Sequence, residues 1–144
     1  MRVYAYFHAG SKNHGCEAIV RTTQELLSDK MTLFSFSPEE DKEYGVDKIV
    51  SLGKLERSEY TFLDKVVCAL SERIAKTEKF SYDVRAKHET DRLSQGGIAL
   101  AIGGDNYCYG EAYNYHLSAL NYYLHKKKMK TVLWLSLIHI SEPT

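Results

Sequence analysis

This 144-residue chain is poor in several features, and each scarcity removes a class of function. Its three cysteines, Cys16, Cys68 and Cys108, are odd in number and lack the C-x-x-C spacing of a metal or redox pair. Reduced thiols without a metal centre are therefore expected, as in a cytoplasmic protein. No apolar run reaches spanning length, and no signal-peptide core follows Met1, so no transmembrane segment is expected. Nineteen basic and nineteen acidic residues cancel, which removes any bulk electrostatic pull toward nucleic acid or an anionic membrane. Internal repeats and low-complexity tracts are absent. So are G-x-G-x-x-G and the G-x-x-x-x-G-K-[ST] phosphate loop, which leaves dinucleotide oxidoreductase and nucleotide hydrolase readings without their main support.

What is present is ordinary in bulk and informative in order. A hydrophobic content of 44% and a charged content of 26% suit one soluble domain with a real core. Strand-like apolar runs occur at 3–8, 31–37, 47–52, 98–102 and 131–134. Helical patterns fall at 17–27, 61–76, 83–95 and 111–127. Residues 39–44 read as an acidic, solvated connection. This alternation predicts an α/β fold, a Rossmann-like parallel sheet with right-handed crossovers. Leu117, Leu120 and Leu124 share one face of the last helix. Leu63, Val67, Leu70 and Ile74 form a stripe on the second, with Lys65, Arg73 and Lys76 giving it a basic side. Its mixed charge predicts a helix packed on the domain rather than one lying on a membrane. Eleven tyrosines suit half-buried surfaces better than they argue for sugar faces.

Two glycine-rich turns, each launched from an apolar strand, are the candidate functional elements. The first is Gly10-Ser11-Lys12-Asn13-His14-Gly15, after the strand at 3–8. The second is Gly103-Gly104-Asp105-Asn106, after the strand at 98–102. In an open parallel sheet, ligands bind beyond the carboxyl ends of strands, where such turns lie. Glycine lets backbone approach a ligand, and a following helix offers free N–H groups. Asn13, His14, Glu17, Asp105 and Asn106 carry the side chains able to exchange hydrogen bonds with hydroxyls. Three of them also have a plainer role: Asn13 in the turn, Glu17 at the positive helix end, Asp105 as a helix cap. Cys16 at a helix start is expected to be unreactive, since no base partner is evident.

The last ten residues, 135–144, read as the translation of a sequencing adapter and are set apart from fold reasoning. Residues 1–134 are then expected to be the N-terminal domain of a longer protein.

The phrase Gly10-Ser11-Lys12-Asn13-His14-Gly15-Cys16-Glu17-Ala18-Ile19 resembles the first motif of the polysaccharide pyruvyl transferase family. Asn13, Gly15, Glu17, Ala18 and Ile19 match that motif, and Cys16 stands where Asp is common. Ile102-Gly103-Gly104-Asp105-Asn106-Tyr107 is similar to the family's internal glycine loop, and Lys130–Trp134 resembles the strand entering its next segment. The resemblance implies a glycosyltransferase-B-like architecture of two Rossmann-like domains facing a cleft. It implies transfer of a pyruvyl group from phosphoenolpyruvate, a donor substrate rather than a cofactor, to a hydroxyl pair of a sugar or lipid-linked glycan. The family's donor-binding Arg and His residues lie in the C-terminal half, so catalytic residues are not assignable in 1–134 and the chain alone is expected to be inactive. A nucleotide-sugar transferase of the same architecture and a non-catalytic carbohydrate-binding domain are the alternative readings.

Overall fold

A computed structural model describes residues 1–8, 10–27, 31–51, 59–75, 79–103 and 111–135. Along the chain these form β1 (Val3–His8), α1 (His14–Leu26), β2 (Met31–Ser35), α2 (Pro38–Glu43), β3 (Ile49–Ser51) and α3 (Phe62–Leu70). A single π-helical turn, Ser71–Ala75, then leads toward α4 (Lys79–Asp91), β4 (Ile98–Ile102), α5 (Glu111–Lys126) and β5 (Lys130–Trp134). The five strands make one all-parallel sheet in the order β3-β2-β1-β4-β5. That is the Rossmann-like α/β fold. The order reverses between β1 and β4, so the crevice of the doubly wound sheet opens above those two strands.

Helices cover both faces because the sheet is apolar on both. On one face Val3, Ala5, Met31, Leu33, Leu100 and Ile102 pack with Val20 of α1 and with Val46. On the other, Tyr6, Phe34, Ala99 and Ala101 pack with Ala86 of α4 and with Leu117, Leu120 and Leu124 of α5. The predicted α5 stripe is therefore core. Tyr6 adds a polar anchor, its hydroxyl donating to Asn121 Oδ1 at 2.6 Å. Trp134 ties the edge strand to α1 by donating its indole N–H to Thr23 Oγ1 at 3.0 Å.

Three expectations are corrected. Residues 39–44 are not a solvated connection: Pro38 opens α2, whose negative first turn Glu39-Glu40-Asp41 suits a positive helix end, and Asp41 is fully buried. The first helix starts at His14 rather than Glu17, because Asn13 caps it: its Oδ1 accepts from the backbone N–H of Gly15 (2.9 Å) and Cys16 (3.4 Å). The stripe on α3 is not packed. Leu63, Val67, Leu70 and Ile74 are all exposed, and α3 meets the domain through Cys68 instead.

Candidate functional site

The site is built around an irregularity at the end of β1. Between the pairs Ala5–Leu33 and His8–Ser35, β1 spends three residues where β2 spends two, so β1 carries one extra residue. Phe7 absorbs it with φ +70°, a left-handed conformation that costs a non-glycine residue roughly 1–2 kcal/mol. The consequence is a change of side. Regular alternation would send His8 to the face of Tyr4 and Tyr6; instead Phe7 joins that face, its ring 5.8 Å from His116, and His8 turns toward α1 and α2.

There His8 enters a buried polar cluster. Its Nε2 lies 2.8 Å from Asp41 Oδ1 and 3.2 Å from Ser11 Oγ, and Ser11 donates to the same Asp41 oxygen at 2.6 Å. All three side chains are essentially inaccessible. The residue types are those of a nucleophilic triad, but the geometry is not. Histidine does not stand between serine and aspartate, and Ser11 already gives its proton to the carboxylate. The cluster's work is to fasten the first glycine turn to α2. Glu40 adds to it by accepting from the Lys12 backbone N–H, and its carboxylate fills the space beside Gly10. Gly10, at φ +130°, makes a bend there that other residues rarely adopt. Asp41 Oδ2 is buried without a hydrogen-bond partner among the described residues, a cost the other contacts must offset.

Above this buried fastening lies an exposed surface. Lys12, Asn13, His14 and Gly15 face solvent at the start of α1, beyond the carboxyl end of β1. Asn13 spends Oδ1 on the cap, which leaves Nδ2 to donate. His14, highly exposed, sets Nδ1 3.3 Å from Glu17 Oε2, and Arg21 donates to Glu17 Oε1 at 3.1 Å. The Arg21 hydrogen bond, with His14 second, holds the Glu17 carboxyl below its usual range. Glu17 is therefore ionised at neutral pH and acts only as an acceptor. This exposed imidazole beside a carboxylate can accept from, donate to, or exchange protons with a bound hydroxyl.

The neighbouring parallel strand β4 ends on the same side of the sheet. Gly103, buried and at φ +135°, follows β4 as Gly10 follows β1. Gly104, Asp105 and Asn106 lie outside the described residues. Gly15 sits inside the first turn of α1. Among the described residues, no cluster of three or more His, Cys, Asp or Glu side chains is arranged to hold a metal ion. No helix among them is long and apolar enough to cross a membrane.

Sequence reasoning missed His8 and Asp41, and it saw Ser11 only as part of the turn. It missed a second buried pair as well. His116 Nε2 lies 2.9 Å from Glu89 Oε2, and Arg85 Nε donates to Glu89 Oε1 at 2.8 Å. This pair sits on the opposite face of the sheet, behind Phe7. One signal was available for the first cluster: a histidine closing an apolar strand needs a buried partner, and Asp41 in the next αβ unit is within topological reach. Comparison with protein-family models, with curated proteins and with solved structures gives no match.

Proposed function

We propose that this chain forms the acceptor side of an enzyme that transfers a pyruvyl group from phosphoenolpyruvate to a hydroxyl pair of a sugar. The supporting observation is the situation of the motif-like phrase Gly10–Ile19. It occupies the carboxyl end of β1 at the point where the strand order reverses, with a buried cluster beneath it and exposed Asn13 and His14 above.

In the reaction, one sugar hydroxyl gives up its proton as its oxygen adds to the enol carbon of phosphoenolpyruvate, and the methylene carbon takes up a proton. The second hydroxyl oxygen then bonds to the same carbon, phosphate leaves, and that hydroxyl's proton is lost. The product is a cyclic ketal plus inorganic phosphate. The His14–Glu17 pair suits the acceptor half, receiving a proton from an attacking hydroxyl, and Asn13 Nδ2 suits holding a neighbouring oxygen. Arg and Lys groups that would hold the donor's phosphate and carboxylate belong, on this reading, outside residues 1–134.

The test is phosphate release from phosphoenolpyruvate in the presence of saccharides with suitably placed hydroxyl pairs, followed by mass analysis for the ketal. The chain alone is expected to be silent, and the product of its uninterrupted reading frame active. Turnover of nucleotide-sugars instead would replace this reading with a glycosyltransferase. Saccharide binding without any turnover of the longer product would replace it with a carbohydrate-binding domain.

A further inference from the structure

The α3 segment is amphipathic in the inverse sense. Phe62, Leu63, Val66, Val67 and Leu70 follow the spacing of one continuous helical arc, and all five are exposed. Phe62 is 79% exposed and Leu63 72%; Ile74 in the following turn, at 77%, and Phe80 near the start of α4 are exposed as well. The side of the helix that meets the protein is the small and polar one. Cys68 and Ser71 are buried there, and Asp64 Oδ2 lies 3.2 Å from His88 Nε2 of α4. The helix does not owe its form to its apolar face, because a capping box between Thr61 and Asp64 starts it locally. Five large apolar side chains exposed along one helical arc mark a place of contact.

The charges around the arc select among occupants. Lys65, Arg73 and Lys79 are exposed at its margins, with the Lys79 ammonium 4.1 Å above the Tyr115 ring. Across the described residues 61–75 and 79–80 the exposed carboxylate is Glu72, which accepts from the Ser81 hydroxyl. A second copy of this chain docking by two-fold symmetry would bring these cations against one another. An anionic lipid surface would instead receive apolar side chains among its acyl chains and set the cations at its headgroups. The chain's overall neutrality does not oppose this, since the attraction is local.

We propose that α3, extended by the following π-helical turn and by Phe80, lies in the plane of an anionic membrane surface and docks the domain there peripherally. The proposal is independent of the pyruvyl-transfer reading.

The experiment is flotation of the purified chain with vesicles of phosphatidylcholine alone and of phosphatidylcholine containing phosphatidylglycerol, at low and high salt. The wild type is expected to float with the anionic vesicles and to lose much of that binding in high salt. A Phe62→Gln/Leu70→Gln variant, exposed at both positions and so expected to retain its circular dichroism, should bind at least about tenfold more weakly. Lys65→Gln/Arg73→Gln should lose the preference for anionic over neutral vesicles. Failure of the wild type to float with either vesicle overturns the proposal. So does binding that survives Phe62→Gln/Leu70→Gln, which would place the contact elsewhere. Self-association without flotation, abolished by the same variant, overturns it in favour of an interface between copies.

Discussion

Phe7 is the residue on which the site turns. Nothing in Val3–His8 announces a bulge: no glycine is present, and an aromatic is a poor occupant of a left-handed position. The strand itself was legible from its β-branched and aromatic content, but the side to which His8 points was not. Parity counting, which serves for residues 3–6, gives the wrong face for Phe7 and His8. The His8–Asp41–Ser11 cluster is expected to be strongly coupled. Asp41→Ala should destabilise the fold by about 3 kcal/mol, because it strands two buried polar partners. Asp41→Asn keeps an accepting oxygen and should cost less. A double-mutant cycle on His8 and Asp41, followed by urea unfolding, should return a coupling of about 1 kcal/mol or more. Strictly additive losses would show that the contact contributes nothing.

Tyr123 offers a test by titration. Burial, reinforced by its 2.9 Å hydrogen bond to Asp83, pushes its phenol up to about 12. A raised folded-state value favours the neutral form. The resulting stabilisation is full below the unfolded value near 10 and disappears as pH climbs through the folded one. Ultraviolet titration should therefore show one tyrosine ionising last, and Asp83→Asn should bring it down. A set of tyrosines all ionising together near 10 would contradict the contact.

At the scale of elements, β1, β2 and β4 were readable because buried parallel strands are near-continuous apolar runs, and the α5 stripe because Leu117, Leu120 and Leu124 face the core. Helix α2 was not readable. Pro-Glu-Glu-Asp-Lys-Glu contains no large apolar residue, and its inward anchor is a carboxylate whose partners are His8 at the end of β1 and Ser11 in the first glycine turn. Helix α3 was read correctly as amphipathic and wrongly as packed. Periodicity reports that an apolar face exists, not what it faces. Helix α1 began one turn earlier than expected because the cap, rather than the first acidic residue, sets the boundary. Asn13→Ala should cost about 1 kcal/mol in denaturant unfolding, and Asn13→Asp or Asn13→Ser should recover most of it. If Asn13→Ala proves neutral, the side chain's two contacts with Gly15 and Cys16 are not stabilising.

At the scale of the whole molecule, one arrangement joins fold to proposed function. The first glycine turn and Gly103 lie at the same end of two adjacent parallel strands, β1 and β4, between which the strand order reverses. The order of strands and helices, and the glycines that follow β1 and β4, were visible in the sequence. What the sequence could not give was the foundation of the first turn, since its parts lie about thirty residues apart and on elements of opposite character.

The central claim is that the exposed turn at the start of α1 receives a sugar acceptor. The most direct measurement is an amide-resolved NMR titration of this chain with saccharides bearing suitable hydroxyl pairs, with free phosphoenolpyruvate and nucleotide-sugars as parallel additions. Saturable shifts concentrated on the amides of residues 10–17, produced by the saccharides, are the predicted result. Shifts absent from that turn, or produced there by nucleotide-sugars and not by saccharides, would contradict it.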